Sequence, residues 1–200
     1  VSVDGAITSS AGATITVSDN SDNLTLTSTD ADASQGPNLR MYRNSGSPAD
    51  SDQVGRINFT GRNDNSQDVD YAKIITQIKD ASDGSEDGRL AINTIVGGDV
   101  YSRINIIETE TVFNDESIDV DFRVESNGNA NMLFVDGGND RVGIGNNSPS
   151  AALDVTGTAT MDGLTVDGNV GIGTASPVAP LTINDKATFS FNSSDFALGH

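Results

Sequence analysis

Apolar and polar residues alternate along most of this chain with the period of two that a β-strand requires. The alternation is densest in the central part, where apolar residues concentrate at positions 54–59, 74–78, 90–96 and 103–107. The loops between these stretches are rich in Asn, Gln, Asp and Ser, or contain Gly-Gly. This spacing predicts an antiparallel meander that folds as a small β-sandwich.

No stretch of the chain is convincing as a helix. The nearest candidate is 71–79, but Ile74, Thr76 and Ile78 alternate there against two lysines and a glutamine, which favours a strand. The chain also has 24 Asp and only 5 Glu. Because Asp favours turns and Glu favours helices, this bias also indicates strands and loops. We therefore predict an all-β protein.

Residues 1–49 carry short apolar pairs separated by Ser, Asp, Asn and Gly. The predicted strand cores in this part are Ile15 with Val17, Leu24 with Leu26, and Leu39 with Met41. A polar break at 50–53 precedes the denser central stretch. We therefore expect an N-terminal short-strand β segment (1–49), a central antiparallel β module (50–125) and a repetitive β shaft segment (126–200).

The third segment opens on a hairpin signal. An alternating stretch at 120–124 leads into Asn127-Gly128, and 132–135 is the expected return strand. Gly137-Gly138 then turns the chain again. Near the C-terminus, 188–191 can add one more strand.

A fourteen-residue pattern occurs twice, 28 positions apart, with eight identical positions. Its copies are 142–155 and 170–183, and each contains Val-Gly-Ile-Gly, then Ser-Pro, then Leu. A repeat at fixed period indicates a structural unit that is copied and stacked, not a pocket that is built once. Two copies are fewer than the roughly three that usually give stability, so neighbouring segments or neighbouring chains must continue the stack.

Val-Gly-Ile-Gly has the alternation of a strand. We expect Val142 and Ile144 to face inward, and Gly143 and Gly145 to lie where another backbone approaches or where φ is positive. Ser-Pro ends the strand, because proline cannot donate to a ladder. Between the copies, two Asp-Gly turns flank a predicted short strand at 164–166. These features predict shaft segments that resemble a β-prism or β-helix.

The apolar content is low for a chain of this length. Leu, Ile, Val and Phe make up 47 of the 200 residues, just above the ~20% below which a highly charged chain is expected to be disordered. A single copy therefore has a thin core, and burial between chains would compensate for it. We expect an oligomer.

Charge and residue usage exclude several functions. The net charge of −18 disfavours binding to nucleic acid and to anionic membranes, and no apolar run approaches the ~20 residues that span a bilayer. The chain has no cysteine, and its single histidine is His200, the last residue. Histidine-dependent triads and zinc clusters are therefore not expected.

Aspartates offer the remaining candidates for chemistry. Asp68 with Asp70, and Asp119 with Asp121, have the i, i+2 spacing that places two carboxyls on one strand face, as glycosidases require. Two acidic turns offer oxygen ligands for calcium: Asp80, Asp83, Glu86 and Asp87 around Gly84 and Gly88, and Asp136, Asn139 and Asp140 around Gly137-Gly138. Solvated strand faces and solvated turns explain both sets more simply. We therefore assign no catalytic, cofactor or metal site.

Arginines cluster in the central part of this acidic chain. They are Arg40, Arg43, Arg56, Arg62, Arg89 and Arg103. They can pair with nearby aspartates of the same chain, or with carboxylates of another chain through the forked guanidinium. The sequence leaves both alternatives open.

The repeats resemble those of a known protein family. The relevant motifs are Asp140-Arg141-Val142-Gly143-Ile144-Gly145, Ser148-Pro149 and Leu153-Asp154-Val155, then Asn169-Val170-Gly171-Ile172-Gly173-Thr174 and Ser176-Pro177. They look like tail-fibre and related virion fibre proteins of tailed bacteriophages, particularly marine phages. The stretches 54–63, 83–90 and 122–128 are similar to a β-rich module of those proteins. The resemblance covers roughly residues 50–185.

The resemblance implies a homotrimer that is built of β-structure along an axis and attached to a virion assembled in the host cytoplasm. It implies contacts with other virion proteins and with a host surface glycan or protein receptor. The leading expectation is a non-enzymatic tail fibre that acts in host attachment. The alternatives are a capsid-attached fibre or decoration protein, and a polysaccharide depolymerase.

Overall fold

The computed structural model describes residues 9–183, and all its regular elements are β-strands. The all-β prediction is confirmed for this range. The strands are β1 (Gln53–Arg62), β2 (Asp68–Asp80), β3 (Asp87–Val96), β4 (Asp99–Ile106), β5 (Thr111–Phe113), β6 (Phe122–Val124), β7 (Leu133–Asp136), β8 (Arg141–Ile144), β9 (Leu153–Val155), β10 (Val170–Ile172) and β11 (Leu181–Ile183). The chain divides into two compact units, and their boundary falls between Phe122 and Arg123.

The first unit contains one five-stranded antiparallel sheet in the order β1-β2-β3-β4-β5. This is the predicted meander, and the four predicted strand stretches fall in β1 to β4. The 71–79 stretch is strand, as its alternation indicated, and the Gly97-Gly98 turn between β3 and β4 has positive φ at both residues. The described residues of this unit include no second sheet facing the first, as a sandwich would require.

Very little of the described chain is fully buried. Within residues 9–183, the buried side chains are the apolar Ala91 and Phe134 and the polar Ser102 and Asn105, and Gly143 and Pro149 of the first repeat are buried as well. This thin core agrees with the low apolar content of the sequence.

Residues 9–52 contain no strand, in contrast to the short strand cores expected there. Their apolar residues are open to solvent, and Leu24 and Leu39 are 61% and 67% exposed. Alternation alone does not make a strand, because a strand needs a neighbour that satisfies its backbone groups. Close to the sheet, Arg43 pairs with Asp52 at 3.0 Å and donates to the Gln53 carbonyl oxygen.

The second unit contains a four-stranded sheet in the order β6-β7-β8-β9 and a separate two-stranded sheet, β10-β11. The predicted hairpin is present, because β6 and β7 are neighbours and the Ser126 amide donates to the Asn129 carbonyl oxygen at 2.8 Å. β7 and β8 pair antiparallel around the 137–140 turn. The predicted strand at 164–166 is wrong, since those residues are irregular. The strand proposed at 188–191 and His200 lie outside the described residues.

Candidate functional site

The two sequence repeats have the same strand pairing. In the first copy β8 and β9 pair parallel, with Val142 opposite Leu153. In the second copy β10 and β11 pair parallel, with Val170 opposite Leu181. The partners are eleven residues apart in both copies, so each copy forms the same short parallel loop. The sequence predicted the strands but not their parallel pairing.

Three side-chain hydrogen bonds recur at equivalent positions of the two loops. In each, a side chain supports the Ser-Pro corner or the start of the return strand. The Ser148 amide donates to Asn146 Oδ1 at 2.9 Å, and the equivalent Ser176 amide donates to Thr174 Oγ1 at 3.2 Å. Arg141 Nη1 donates to the Pro149 carbonyl oxygen at 2.8 Å, and the equivalent Asn169 Nδ2 donates to the Pro177 carbonyl oxygen at 3.4 Å. The Ser150 amide donates to Asp154 Oδ2 at 2.9 Å, and the equivalent Val178 amide donates to Thr182 Oγ1 at 3.1 Å. Different residue types thus make equivalent contacts, which supports the repeat beyond its identical positions.

Glycine is required at both positions of the Val-Gly-Ile-Gly motif. A Cβ on Gly143 would collide with the carbonyl oxygen of Asn146, and a Cβ on Gly171 would collide with that of Thr174. The second glycine of each motif has positive φ, 70° at Gly145 and 72° at Gly173. Both sequence expectations for these glycines, close backbone approach and positive φ, are therefore met in the loop.

Several apolar side chains of the two loops are left exposed by the part of the chain that the structure describes. Leu153 is 62% exposed and Leu181 is 51% exposed, and Ile144 and Ile172 are exposed as well. The expectation that Ile144 faces inward is therefore not met within one chain. These side chains form an apolar stripe that a single copy leaves in water.

One face of the five-stranded sheet has three adjacent rows without a charged residue, and Asp99, opposite Val96, is a charged residue at the end of the same face. Residues directly opposite each other across paired strands share a face. One row crosses all five strands as Ile57, Ile74, Ile92, Ile104 and Phe113. The adjacent row is Gly55, Thr76, Leu90, Ile106 and Thr111, and the third is Phe59, Ala72, Thr94 and Tyr101. We call these three rows the apolar face.

The apolar face remains largely open in the single chain. Phe59 is 54% exposed and Phe113 is 48% exposed, and none of the isoleucines in the central row is fully buried. Met41 touches the face at Gly55, and Phe122 stacks on Phe113 with ring centroids 4.9 Å apart. A cleft of about 530 Å³ opens at one end, where Leu90 and Ile106 contribute to its lining.

The opposite face of the sheet, the polar face, carries charged and amide side chains beside Ile75, Ala91 and Val112, and its central polar residues are tied together. Arg89 Nε donates to Asn105 Oδ1 at 2.6 Å, and Asn105 Nδ2 donates to Asp115 Oδ2 at 3.0 Å. The Ser102 amide donates to a carboxylate oxygen of Glu116 at 2.8 Å. Asn93 has a buried side-chain oxygen that accepts no hydrogen bond. The sequence signalled neither this network nor the buried asparagine.

The two carboxylate pairs differ in where the structure places them and in what they contact. In β2, Asp68 pairs with Arg62 at 3.2 Å, while Asp70 accepts from Thr60 and pairs with Lys73 at 3.2 Å. The hydrogen bond from Thr60, followed by that from Lys73, lowers the pKa of Asp70, so it is a poor proton donor at neutral pH. Asp119 and Asp121 lie outside any strand, so the expectation that they share a strand face is wrong.

The acidic turns use their carboxylates to hold their own backbone. Asp80 Oδ1 accepts from the Ser82 amide at 2.8 Å, and Asp136 Oδ1 accepts from the Asn139 amide at 2.9 Å. These bonds, with those from the Ser82 and Asn139 side chains, lower the pKa of Asp80 and Asp136. Within residues 9–183, no three acidic or histidine side chains converge as a metal site would require. The geometry matches the solvated-turn interpretation.

The arginines of the central part have several kinds of partner within the chain. Arg43 and Arg62 pair with aspartates, as the simpler interpretation expected. Arg89 instead bonds to an asparagine, and Arg40 lies 4.6 Å from the centroid of the Tyr42 ring. Pairing with the same chain therefore accounts for part of the cluster.

Comparison with known proteins identifies no relative. No protein-family model matches the chain, and no curated protein matches it. No helix that could cross a membrane is found in the part of the chain that the structure describes. Two exposed apolar surfaces stand out among residues 9–183: the stripes on the repeat loops and the apolar face of the sheet.

Proposed function

We propose that this protein is a structural, non-enzymatic component of a bacteriophage virion fibre, a tail fibre that takes part in host attachment and assembles as a homotrimer. The proposal combines the resemblance of the repeats with one structural observation, the amount of surface that a single chain leaves exposed.

The exposed area of the chain is larger than compact folding accounts for. The chain exposes 16181 Å², whereas two compact units that share its mass equally expose about 10,700 Å². The 25 residues outside the described range account for about 3,750 Å² at most, the area of an unfolded peptide of that mass. The described residues still expose about 2,700 Å² more than two compact units of their own mass.

Part of this excess is area that a chain in a ring of three would bury. A specific interface buries about 800 Å² on each partner, and each chain of a trimer contacts two neighbours, so about 1,600 Å² would be covered. Residues 9–52, which contain no strand and are largely exposed, contribute to the remainder. The apolar face and the stripes on the repeat loops place exposed apolar side chains where such burial is favourable. Shared burial thus supplies the core that the sequence is too poor in apolar residues to form alone.

The repeat loops support a shaft in the second unit. Two copies with the same pairing and the same glycine contacts provide a unit that can be stacked. Stacked strands with threefold burial would make a stiff rod that presents a binding surface at its end. Weak single contacts with a host glycan or protein would then add up through multivalency.

Mass measurement under native conditions tests the oligomeric part of the proposal. The expected species has three times the 20.7 kDa mass of one chain, about 62 kDa. Dilution should lower the temperature at which it unfolds, because the chains share part of their core. A monomer that unfolds cooperatively at the same temperature at every concentration would contradict the proposal.

Imaging tests the position on the virion. Antibody raised against the purified protein and labelled with gold should decorate the tail of virions that carry it. Label on the head would instead support the alternative of a capsid-attached fibre or decoration protein. For the depolymerase alternative, the protein is incubated with host surface polysaccharide, and new reducing ends would overturn the non-enzymatic assignment.

A further inference from the structure

We infer that the apolar face of the five-stranded sheet packs against the same face of other copies of this chain, which supply the second layer that the predicted sandwich lacks. The inference deepens the proposed function, since it assumes self-assembly and names the surface that carries it. The partner is a copy of this chain, not a lipid or a small ligand.

The distribution of charge across the sheet is the first argument. One residue in five of this chain is charged, yet the three rows of the apolar face contain no charged residue. The opposite face carries Arg56, Lys73 and Arg89 at registered positions. An antiparallel sheet with one polar and one apolar face normally packs its apolar face on a second layer. The three uncharged rows are therefore a surface that can be buried without desolvating a charge.

The size of the face is the second argument. Its three rows, about 6.8 Å apart on five strands about 4.8 Å apart, cover roughly 490 Å² in projection. This is of the same order as the ~800 Å² that each partner contributes to a specific interface. The largest apolar patch on a typical monomer is about 300–600 Å² and is often functional, and the face falls in that range.

The composition of the chain and its uncharged rows favour a second copy as the partner. Leu, Ile, Val and Phe make up only 47 of the 200 residues, so shared burial with another copy compensates for a thin core. Two copies that meet through the three uncharged rows bring no like charges into direct contact. The cleft beside Leu90 and Ile106, about 530 Å³ in volume, is also lined by Asp87, Arg89 and Glu108, so it offers both apolar and charged contacts to the facing sheet.

Two adjacent residues of β1 provide a matched test. Ile57 lies on the apolar face, and Asn58 lies on the polar face beside Asp70. Ile57→Lys and Asn58→Lys add the same positive charge one residue apart, so any effect of net charge is equal in both. Burying the lysine without a partner should weaken self-association of Ile57→Lys by about 100-fold or more. Asn58→Lys should change it by less than about threefold.

A labelling experiment tests the same surface without disturbing it. The natural chain has no cysteine, so Ile57→Cys and Asn58→Cys each introduce the only thiol. In the assembled protein, maleimide should modify Cys at position 58 rapidly and Cys at position 57 slowly. Dilution below the dissociation constant should restore the rate at position 57, because another copy provides the cover. Circular dichroism confirms that each variant retains its strands.

The outcomes separate this inference from the proposed function. A natural chain that is monomeric at all concentrations contradicts both. An oligomer that persists in Ile57→Lys, or fast labelling at position 57 within the oligomer, overturns the apolar-face interface and leaves the proposed fibre intact. Slow labelling at position 57 that does not depend on concentration shows that a segment of the same chain covers the face, and it also overturns the inference.

Discussion

Single glycines determine whether the repeat loop can form. In both copies the first glycine of Val-Gly-Ile-Gly faces the carbonyl oxygen three residues further on, and this contact leaves no room for a Cβ. Sequence identity at this position therefore has a steric cause. The loop must either open or distort its backbone to accept any other residue.

Gly143→Ala should destabilise the second unit by about 1–3 kcal/mol, because the added methyl group displaces the Asn146 carbonyl from the turn. The measurement is the urea midpoint at constant protein concentration. Gly128→Ala is the control, since a Cβ at Gly128 meets no atom within 4 Å. Equal midpoints for the two variants would refute the close approach.

Acidic side chains that hold turns give the protein a dependence on low pH. Hydrogen bonds from the Ser150 backbone amide and hydroxyl lower the pKa of Asp154 in the folded state. A lowered folded pKa contributes stability above the unfolded value near 4, and this contribution is lost as pH falls through the folded pKa. Asp154→Asn should therefore be less stable than the natural chain at pH 7, with a difference that shrinks below pH 4.

Thermal unfolding at pH 7 and at pH 2.5 checks this prediction. Asp162→Asn, in a turn between the copies, removes the same charge without removing the Ser150 contacts and serves as the control. If Asp154→Asn and Asp162→Asn behave alike at both pH values, the Asp154 carboxylate does not hold the corner of the loop.

Strands of the central sheet were predictable because each carries a long alternating run that ends at a turn signal. The loop that contains Gly97-Gly98 and the hairpin at Asn127-Gly128 were predictable for the same reason. The parallel pairing within each repeat was not, because alternation identifies a strand but not its neighbour. The 164–166 stretch and the short pairs before residue 50 show the converse, since they alternate but find no neighbour in this chain. The polar network around Asn105 has no sequence signal at all.

Two buried asparagines on the polar face of the sheet should respond differently to the same substitution. Asn105 bridges Arg89 and Asp115, so Asn105→Val leaves both charged groups without that partner and should cost about 2–3 kcal/mol. Asn93 has an oxygen that is buried without a hydrogen bond, so Asn93→Val removes a desolvated polar atom and should be neutral or stabilising. Urea unfolding of both variants measures the difference, and an equal loss in both would contradict the assigned network.

For the whole molecule, charge repulsion between chains opposes assembly and apolar burial favours it. Each chain carries a net charge of −18, so three chains in one assembly repel one another strongly in dilute buffer. The surfaces proposed for assembly are apolar, and apolar burial is not weakened by moderate salt. The arginines offer a competing source of contact, namely pairs with carboxylates of another chain, and salt weakens exposed pairs of this kind.

Salt therefore distinguishes the two sources of assembly. If apolar faces hold the chains together, raising NaCl from 20 mM to 500 mM screens the repulsion and should strengthen self-association and raise the temperature of dissociation. If arginine–carboxylate pairs between chains dominate, the same change should weaken self-association. Sedimentation at fixed protein concentration measures the result, and an uncharged osmolyte at equal osmolality controls for general solute effects. The three rows of the apolar face carry no charge. We therefore expect Ile57→Ala to lower the association constant without changing the dependence of that constant on salt. Weaker self-association of the natural chain at high salt would contradict the apolar interface.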